Sequence, residues 1–316
     1  MLRQRTIKKA VHAIGIGVHS GEKVRMTLRP AEENSGIVFV RKDEAIGGRR
    51  RDLASVSVAA RAENVSDTTL STSIGNADVQ VSTVEHLMSA LWGLGIDNLI
   101  VELTAQEVPI MDGSAAPFIY LINTVGIVEQ NAPKEFIRIK REISVTQGDA
   151  VATLTPFPGF KADYTFVADH PVYNRHPKKA QLDFSSVSYV DQVSRARSFG
   201  LMKELEQAQS IQKCLGSSLE NAVGIDDHQV VNEDGLRYND EFVKHKLLDA
   251  IGDLYLLGRP ILGAFDGYMS GHALNNKLAR ALLRCEDAWE IATFVEADTM
   301  PLREPILHPA AIGLVS

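Results

Sequence analysis

Val24 to Leu28 alternates apolar and polar side chains, the two-residue period of a strand with one buried face. Gly36 to Val40 (Gly-Ile-Val-Phe-Val) is a short β-rich run, and Val79 to Val81 ends a further strand. The rhythm then changes. Ser82-Thr83-Val84-Glu85 matches a capping box, with Ser82 at the N-cap and Glu85 at the third helical position. It predicts a helix that runs to Leu94 and is closed by Gly95. Asn98 to Leu103 returns as a strand, followed by a turn at Met111-Asp112-Gly113-Ser114 and a helix beginning near Pro117.

Asn131-Ala132-Pro133-Lys134 is polar and helix-breaking and reads as a linker between residues 1–130 and 135–316. The second half begins again with strands, at Phe136 to Ile139 and Ala150 to Leu154. Phe199 to Gln212 reads as a helix, with Gly216-Ser217-Ser218 beyond it. Asp240 caps a further helix, and Gly258-Arg259-Pro260 stops it. Strand, turn and helix follow between Ile261 and Leu283. Each half therefore runs strands first, then helix, strand and helix. The stretches from His86 to Leu91 and from His245 to Ile251 are loosely alike, a weak sign of duplication.

In the helix after Asp240, Val243, Leu247, Ala250, Ile251 and Leu254 share one stripe, while His245, Asp249 and Asp253 follow the opposite side. This predicts a core face and a separate polar face lying at a surface or cleft. His245 and Asp249 are one turn apart and project together. Glu85-His86 is a second pair, in the other half. Two histidines and a carboxylate can hold a zinc ion at three positions and leave the fourth to water. A glutamate beside one ligand can then handle that water's proton. On this reading the chain is a metal-dependent hydrolase whose site joins its two halves. Each member also has a plainer account: an exposed His–Asp pair, a capping glutamate, a half-buried His86 with a backbone partner. Ser270-Gly271-His272 places a third histidine just before a helix, either as general acid or oxyanion-facing cation, or as a turn residue. Other motifs fail. Gly15 to Ser20 lacks the third glycine of a dinucleotide fingerprint, and Gly267 to Gly271 has its serine one place too late for a nucleophile elbow. There is no Walker A lysine, and Glu85-His86 lacks the second histidine of a zincin helix.

Composition narrows the partners. In 316 residues, 45% hydrophobic, a substantial core is available and disorder is disfavoured. A net charge of −7 argues against nucleic-acid binding, and Arg49-Arg50-Arg51 reads as a solvated loop. Two cysteines, Cys214 and Cys285, are too few for a disulfide framework and fit a reducing compartment. No apolar run spans a bilayer, and the basic N-terminus lacks an apolar signal segment. The expectation is a cytoplasmic protein without a membrane anchor.

Several ordered blocks resemble the UDP-3-O-acyl-N-acetylglucosamine deacetylases, zinc amidases that commit bacteria to lipid A synthesis. They are Gly15 to Gly21, Ser82 to Leu87, Ile110 to Phe118, Asn232 to Arg237, Phe242 to Asp253 and Ser270 to Lys277. The resemblance implies an α+β fold of two similar domains, each a small sheet layered on helices, with an insertion in each. The insertions fall near residues 40–62 and 198–235, the second helping to form an apolar passage for a fatty acyl chain. That agrees with the repeated pattern of the two halves.

The resemblance also implies roles. His86, His245 and Asp249 bind one zinc ion; Glu85 is the general base; His272 stabilises the oxyanion or protonates the leaving amine, oriented by Asp253. Lys246, Phe199 and Leu70 contact substrate, and Ser198 hydrogen-bonds the tetrahedral intermediate. The expected partner is a UDP-linked acyl amino sugar, acted on by a monomer. Three positions depart from the family: Ser198 stands where threonine is common, and Ala150 and Met269 where lysines are common. Another acetylated amino sugar as substrate, or a non-catalytic metal-stabilised binding protein, are the alternatives. The acyl passage argues against the first. Glu85 and His272 beside only three ligands argue against the second, since structural zinc normally takes four.

Overall fold

Lys23–Pro30 buries Val24, Met26 and Leu28 and turns Lys23, Arg25 and Arg29 to water, the alternation that defines a one-faced strand. The computed structural model describes residues 1–43, 56–184 and 189–294. Arg49-Arg50-Arg51 and most of the expected 40–62 insertion lie outside them. In chain order the first half forms β1 (Arg3–Ile7), β2 (Val11–Ile16), β3 (Lys23–Pro30), β4 (Ile37–Arg41), β5 (Ser57–Ala59), β6 (Val65–Asp67), β7 (Ser73–Gly75) and β8 (Gln80–Val81). Then come α1 (Glu85–Leu94), β9 (Leu99–Leu103), α2 (Ala116–Val125) and β10 (Ile127–Pro133). The second half forms β11 (Phe136–Ile139), β12 (Ile143–Gln147), β13 (Ala150–Thr155), β14 (Phe160–Thr165), α3 (Pro171–Asn174), β15 (Lys179–Asp183) and α4 (Tyr189–Gln192). It continues with β16 (Phe199–Leu201), α5 (Met202–Ser210), β17 (Val223–Ile225), α6 (Glu241–Tyr255), β18 (Ile261–Tyr268), α7 (His272–Arg284) and β19 (Trp289–Ala292).

The fold is α+β. In the first half a five-stranded sheet has the order β2-β3-β9-β4-β5, antiparallel except for the β4–β9 pair. A seven-stranded mixed sheet in the second half is built around β18, which pairs β13 along one edge and β11 and β14 along the other. The segment read as a linker is built into the structure. Asn131 to Pro133 close β10, which pairs with β1, and the buried Lys134 ammonium donates to Gly95 O and Asp97.

The helices α1 and α6 pack on each other in the centre of the molecule. Every residue of α1 and all but Lys244 and Lys246 of α6 are buried. The polar side expected for α6 is therefore not exposed: His245, Asp249 and Asp253 are all buried, and His245 and Asp249 line a cavity. Most of their polar atoms are paired: His245 Nδ1 with the Ala196 carbonyl, Asp249 Oδ2 with Lys246, and Asp253 with Thr72, His272 and Asn275. Gly252 sets the spacing of the pair, since a Cβ there would lie 2.0 Å from the carbonyl oxygen of Glu85. Among the described residues, no helix is long and apolar enough to cross a membrane.

Two further expectations change. Phe199 to Leu201 is not helical but pairs in parallel with Val223 to Ile225, so the helix begins only at Met202 and ends at Ser210. The β-branched and aromatic residues around these strands bury against Tyr173 and Phe242, and that packing outweighs local helix preference. Asp240 does stand at the N-cap of α6, but its side chain makes no cap and pairs instead with Lys244 at 3.1 Å.

Candidate metal centre and active site

Glu85 and His86 open α1, yet the capping box is not formed. Val84 occupies the N-cap in helical backbone, with no side-chain cap. Ser82 and Ser73 hydroxyls bond each other at 3.0 Å, and Glu85 Oε2 accepts the Thr72 N–H at 3.0 Å. Thr83, at φ +58°, turns the chain into the helix while its hydroxyl donates to buried Glu107. Long-range partners replace the local cap and free Glu85 from a capping role.

His86 from α1 and His245 and Asp249 from α6 form a buried triad whose ligand atoms all lie within 4.8 Å of one another. Asp249 Oδ1 lies 3.4 Å from His86 Nε2 and 3.5 Å from His245 Nε2, buried and without a hydrogen-bond partner. Its other oxygen accepts from Lys246 Nζ at 2.6 Å. His245 Nδ1–H donates to the carbonyl of Ala196 at 3.0 Å, which leaves Nε2 as the bare nitrogen. Burial holds the His245 pKa down to about 4 against the pull of Asp249, so the ring is neutral and able to ligate at neutral pH. Burial would raise the Asp249 carboxyl, but His245 and Lys246 outweigh it and hold it well below the usual range. Two imidazole nitrogens and one anionic oxygen, converging on a point where an oxygen lone pair is otherwise wasted, fit a divalent metal.

His272 begins α7 and does not cap it. Its Nδ1 donates to Asp253 Oδ2 at 2.9 Å, and Asn275 Nδ2 donates to the same oxygen at 2.9 Å. Burial alone would lower the His272 pKa, but Asp253 and Glu85 pull it up to about 9. Glu85 is raised by burial, with His272 and His86 opposing. The result is an imidazolium and a buried carboxyl group lining one cavity.

That cavity has a volume of about 410 Å³. Val18, Ile110, Phe199, Leu201, Leu205 and Val223 form much of an apolar wall, which leads to Glu85, His86, His245, Lys246, Asp249 and His272. Ser198, Phe199 and Leu70 line it as well. Ser198 is tied to Gly113 O through its N–H at 2.8 Å and its hydroxyl at 3.3 Å, and Phe199 meets the His245 ring edge-on at 5.9 Å. Leu70 is 57% exposed with φ +65°. Every site residue read from the sequence thus lines the cavity or, for Asp253, holds one that does. Ala150 and Met269 lie elsewhere, at one end of the seven-stranded sheet, beside the paired residues Val151 and Tyr268.

Residues 4–284 match the family described as LpxC, UDP-3-O-acyl N-acetylglycosamine deacetylase. The chain belongs to that family. It is 55% identical over 303 residues to the UDP-3-O-acyl-N-acetylglucosamine deacetylase of Teredinibacter turnerae, covering 96% of this chain and 97% of the relative. It is 53% identical over 310 residues to the enzyme of the same name from Hahella chejuensis, covering 97% of this chain and all of the relative. As a deacetylase of this family the chain is a hydrolase acting on an amide.

Sequence reasoning missed four contributors. Thr72, Asn275, the Ala196 carbonyl and Gly252 each act through a tertiary neighbour. Only Gly252 carried a local signal, a glycine inside a helix between two carboxylates.

Proposed function

We propose that this chain removes acetate from the N-acetyl group of a UDP-linked, 3-O-acylated N-acetylglucosamine, using one zinc ion held by His86, His245 and Asp249. The observation that carries the reading is the unpartnered Asp249 Oδ1 between two imidazole nitrogens, at a cavity with an apolar wall. Three donors of this kind leave a position open for water, and an acyl chain suits the apolar wall. When bound, the ion supplies a Lewis acid that lowers the pKa of water and polarises the amide carbonyl.

The remaining chemistry belongs to the protein. Glu85, held at one oxygen by the Thr72 N–H, takes the proton of the attacking water. His272, as imidazolium, faces the developing oxyanion and returns a proton to the leaving amine. Asp253 fixes that ring through Nδ1, which leaves Nε2 for the substrate. Lys246 and the Ser198 hydroxyl hold the tetrahedral centre, and Phe199 and Leu70 flank the bound sugar and acyl chain. The two halves, 1–130 and 135–316, act as the two domains that bring these groups together. Two free cysteines agree with a cytoplasmic setting.

The test combines metal analysis with acetate release from defined UDP-sugars. The purified protein should hold about one zinc per chain, lose activity on chelation and regain it with stoichiometric zinc. The 3-O-acylated substrate should be preferred to the sugar lacking the acyl chain. Full zinc occupancy in a variant with His86, His245 and Asp249 all changed to alanine would overturn the ligand assignment.

A further inference from the structure

Thr72 is fully buried in the segment between β6 and β7, in no element of its own, yet it touches both carboxylates of the proposed acid–base machinery. Its N–H donates to Glu85 Oε2 at 3.0 Å, and its hydroxyl donates to Asp253 Oδ1 at 2.6 Å. Its carbonyl accepts the N–H of Val84 at 3.2 Å, which fixes the segment to the start of α1. The opposite oxygen of Asp253 holds His272 and Asn275. A continuous path thus runs from Glu85 on α1, through one threonine, to Asp253 on α6 and His272 on α7.

We propose that Thr72 is a positioning residue that sets the carboxylate of Asp253, and through it the His272 ring, against Glu85. The inference rests on the proposed roles of those three residues. A carboxylate with a donor on each oxygen cannot swing about its last bond without breaking a charge-assisted hydrogen bond in a buried place. Removing the hydroxyl orphans Asp253 Oδ1 and frees that rotation. The ring it holds then samples geometries that do not meet the substrate, a loss expressed in turnover rather than in binding. Valine preserves the shape and the N–H to Glu85, so it isolates the hydroxyl arm.

The experiment uses metal-loaded protein and the 3-O-acylated UDP-sugar. Thr72→Val should lower kcat about tenfold or more, the scale of one hydrogen bond to a charged group, with KM and zinc per chain unchanged. Thr72→Ser should restore most of the rate. In a His272→Ala background the Val change should have little further effect, because its route to chemistry is gone. Wild-type kcat in folded, zinc-loaded Thr72→Val overturns the proposal, and so does the same fold-loss in both backgrounds, which would mark a merely structural role. Should Thr72→Val fail to fold, Thr72→Ala is read by the same criteria. A wild-type protein that holds zinc but releases no acetate would instead overturn the functional reading, and this inference with it.

Discussion

His272 and Glu85 share one buried centre, and burial acts on them in opposite senses. For His272, burial favours the neutral ring but loses to the carboxylates of Asp253 and Glu85, which carry the pKa to about 9. For Glu85, burial prevails over nearby imidazoles and raises the carboxyl. Glu85→Gln and His272→Ala should each keep about one zinc per chain and lose on the order of 10²-fold in kcat. The pH–rate profile separates them. Wild-type activity should fall as pH rises through the His272 pKa, and His272→Ala should lack that alkaline limb. In metal-free protein the same group has a folded pKa above its unfolded value near 6.5. Its contribution to stability is complete below about pH 6.5 and is lost as pH rises through about 9. Melting temperatures of wild type and His272→Ala should therefore converge across that window. The proposed ligands stood out because they fall in short blocks, such as His245 to Asp249, but their spacing left an exposed pair open as well, and it was the family resemblance that favoured the metal role. Thr72 did not stand out, since nothing near Leu70-Ser71-Thr72-Ser73 announces two partners on distant helices.

At the level of elements, α1 and α6 show how a helix can carry polar groups with no polar face. The amphipathic reading of α6 found the helix and expected these residues at a surface or cleft; they are buried, with His245 and Asp249 lining a cavity. Periodicity sees only the chain's own helix, whereas His86 of α1, the Ala196 carbonyl, Thr72 and α7 pack against the side that His245, Asp249 and Asp253 occupy. The contact depends on Gly252 against the Glu85 carbonyl. Gly252→Ala should force the helices apart and destabilise the protein by about 1–3 kcal/mol, as overpacking does. It should also weaken zinc affinity without touching a ligand; thermal melts and metal titration check both. Helix limits were well read where glycine ends them, as at Gly95 with φ +66°. They failed at Ser82 and Phe199, where neighbours remote in sequence supplied stronger partners. The sheet end bearing Ala150 and Met269 offers another prediction. Ala150 and Met269, where the resemblance leads one to expect lysines, adjoin through the Val151–Tyr268 pair. Met269→Lys should lower KM for the UDP-sugar, more at low salt than at high, with zinc content unchanged. Equal KM values at both salts would remove this position from the nucleotide site.

For the whole molecule, the strand-rich halves and their order of strands, helix, strand and helix were visible in local runs and glycine and proline signals, while sheet order was not. Register and neighbours depend on pairings such as β4 with β9, which span the half rather than a hairpin. The meeting of α1 with α6 has a consequence in time as well as in space. His86 and His245 belong to opposite halves, so neither half contains all three proposed ligands. A chain folding from the denatured state can therefore form helices and local hairpins in both halves while holding zinc no better than scattered histidines do. High-affinity capture waits for the closure that seats Gly252 on Glu85, a long-range event and so a slow one. In stopped-flow refolding, the fluorescence of a zinc indicator should thus report a later phase than far-ultraviolet circular dichroism, and Gly252→Ala should delay the first while sparing the second. The ion would serve as a clock for the last step of assembly.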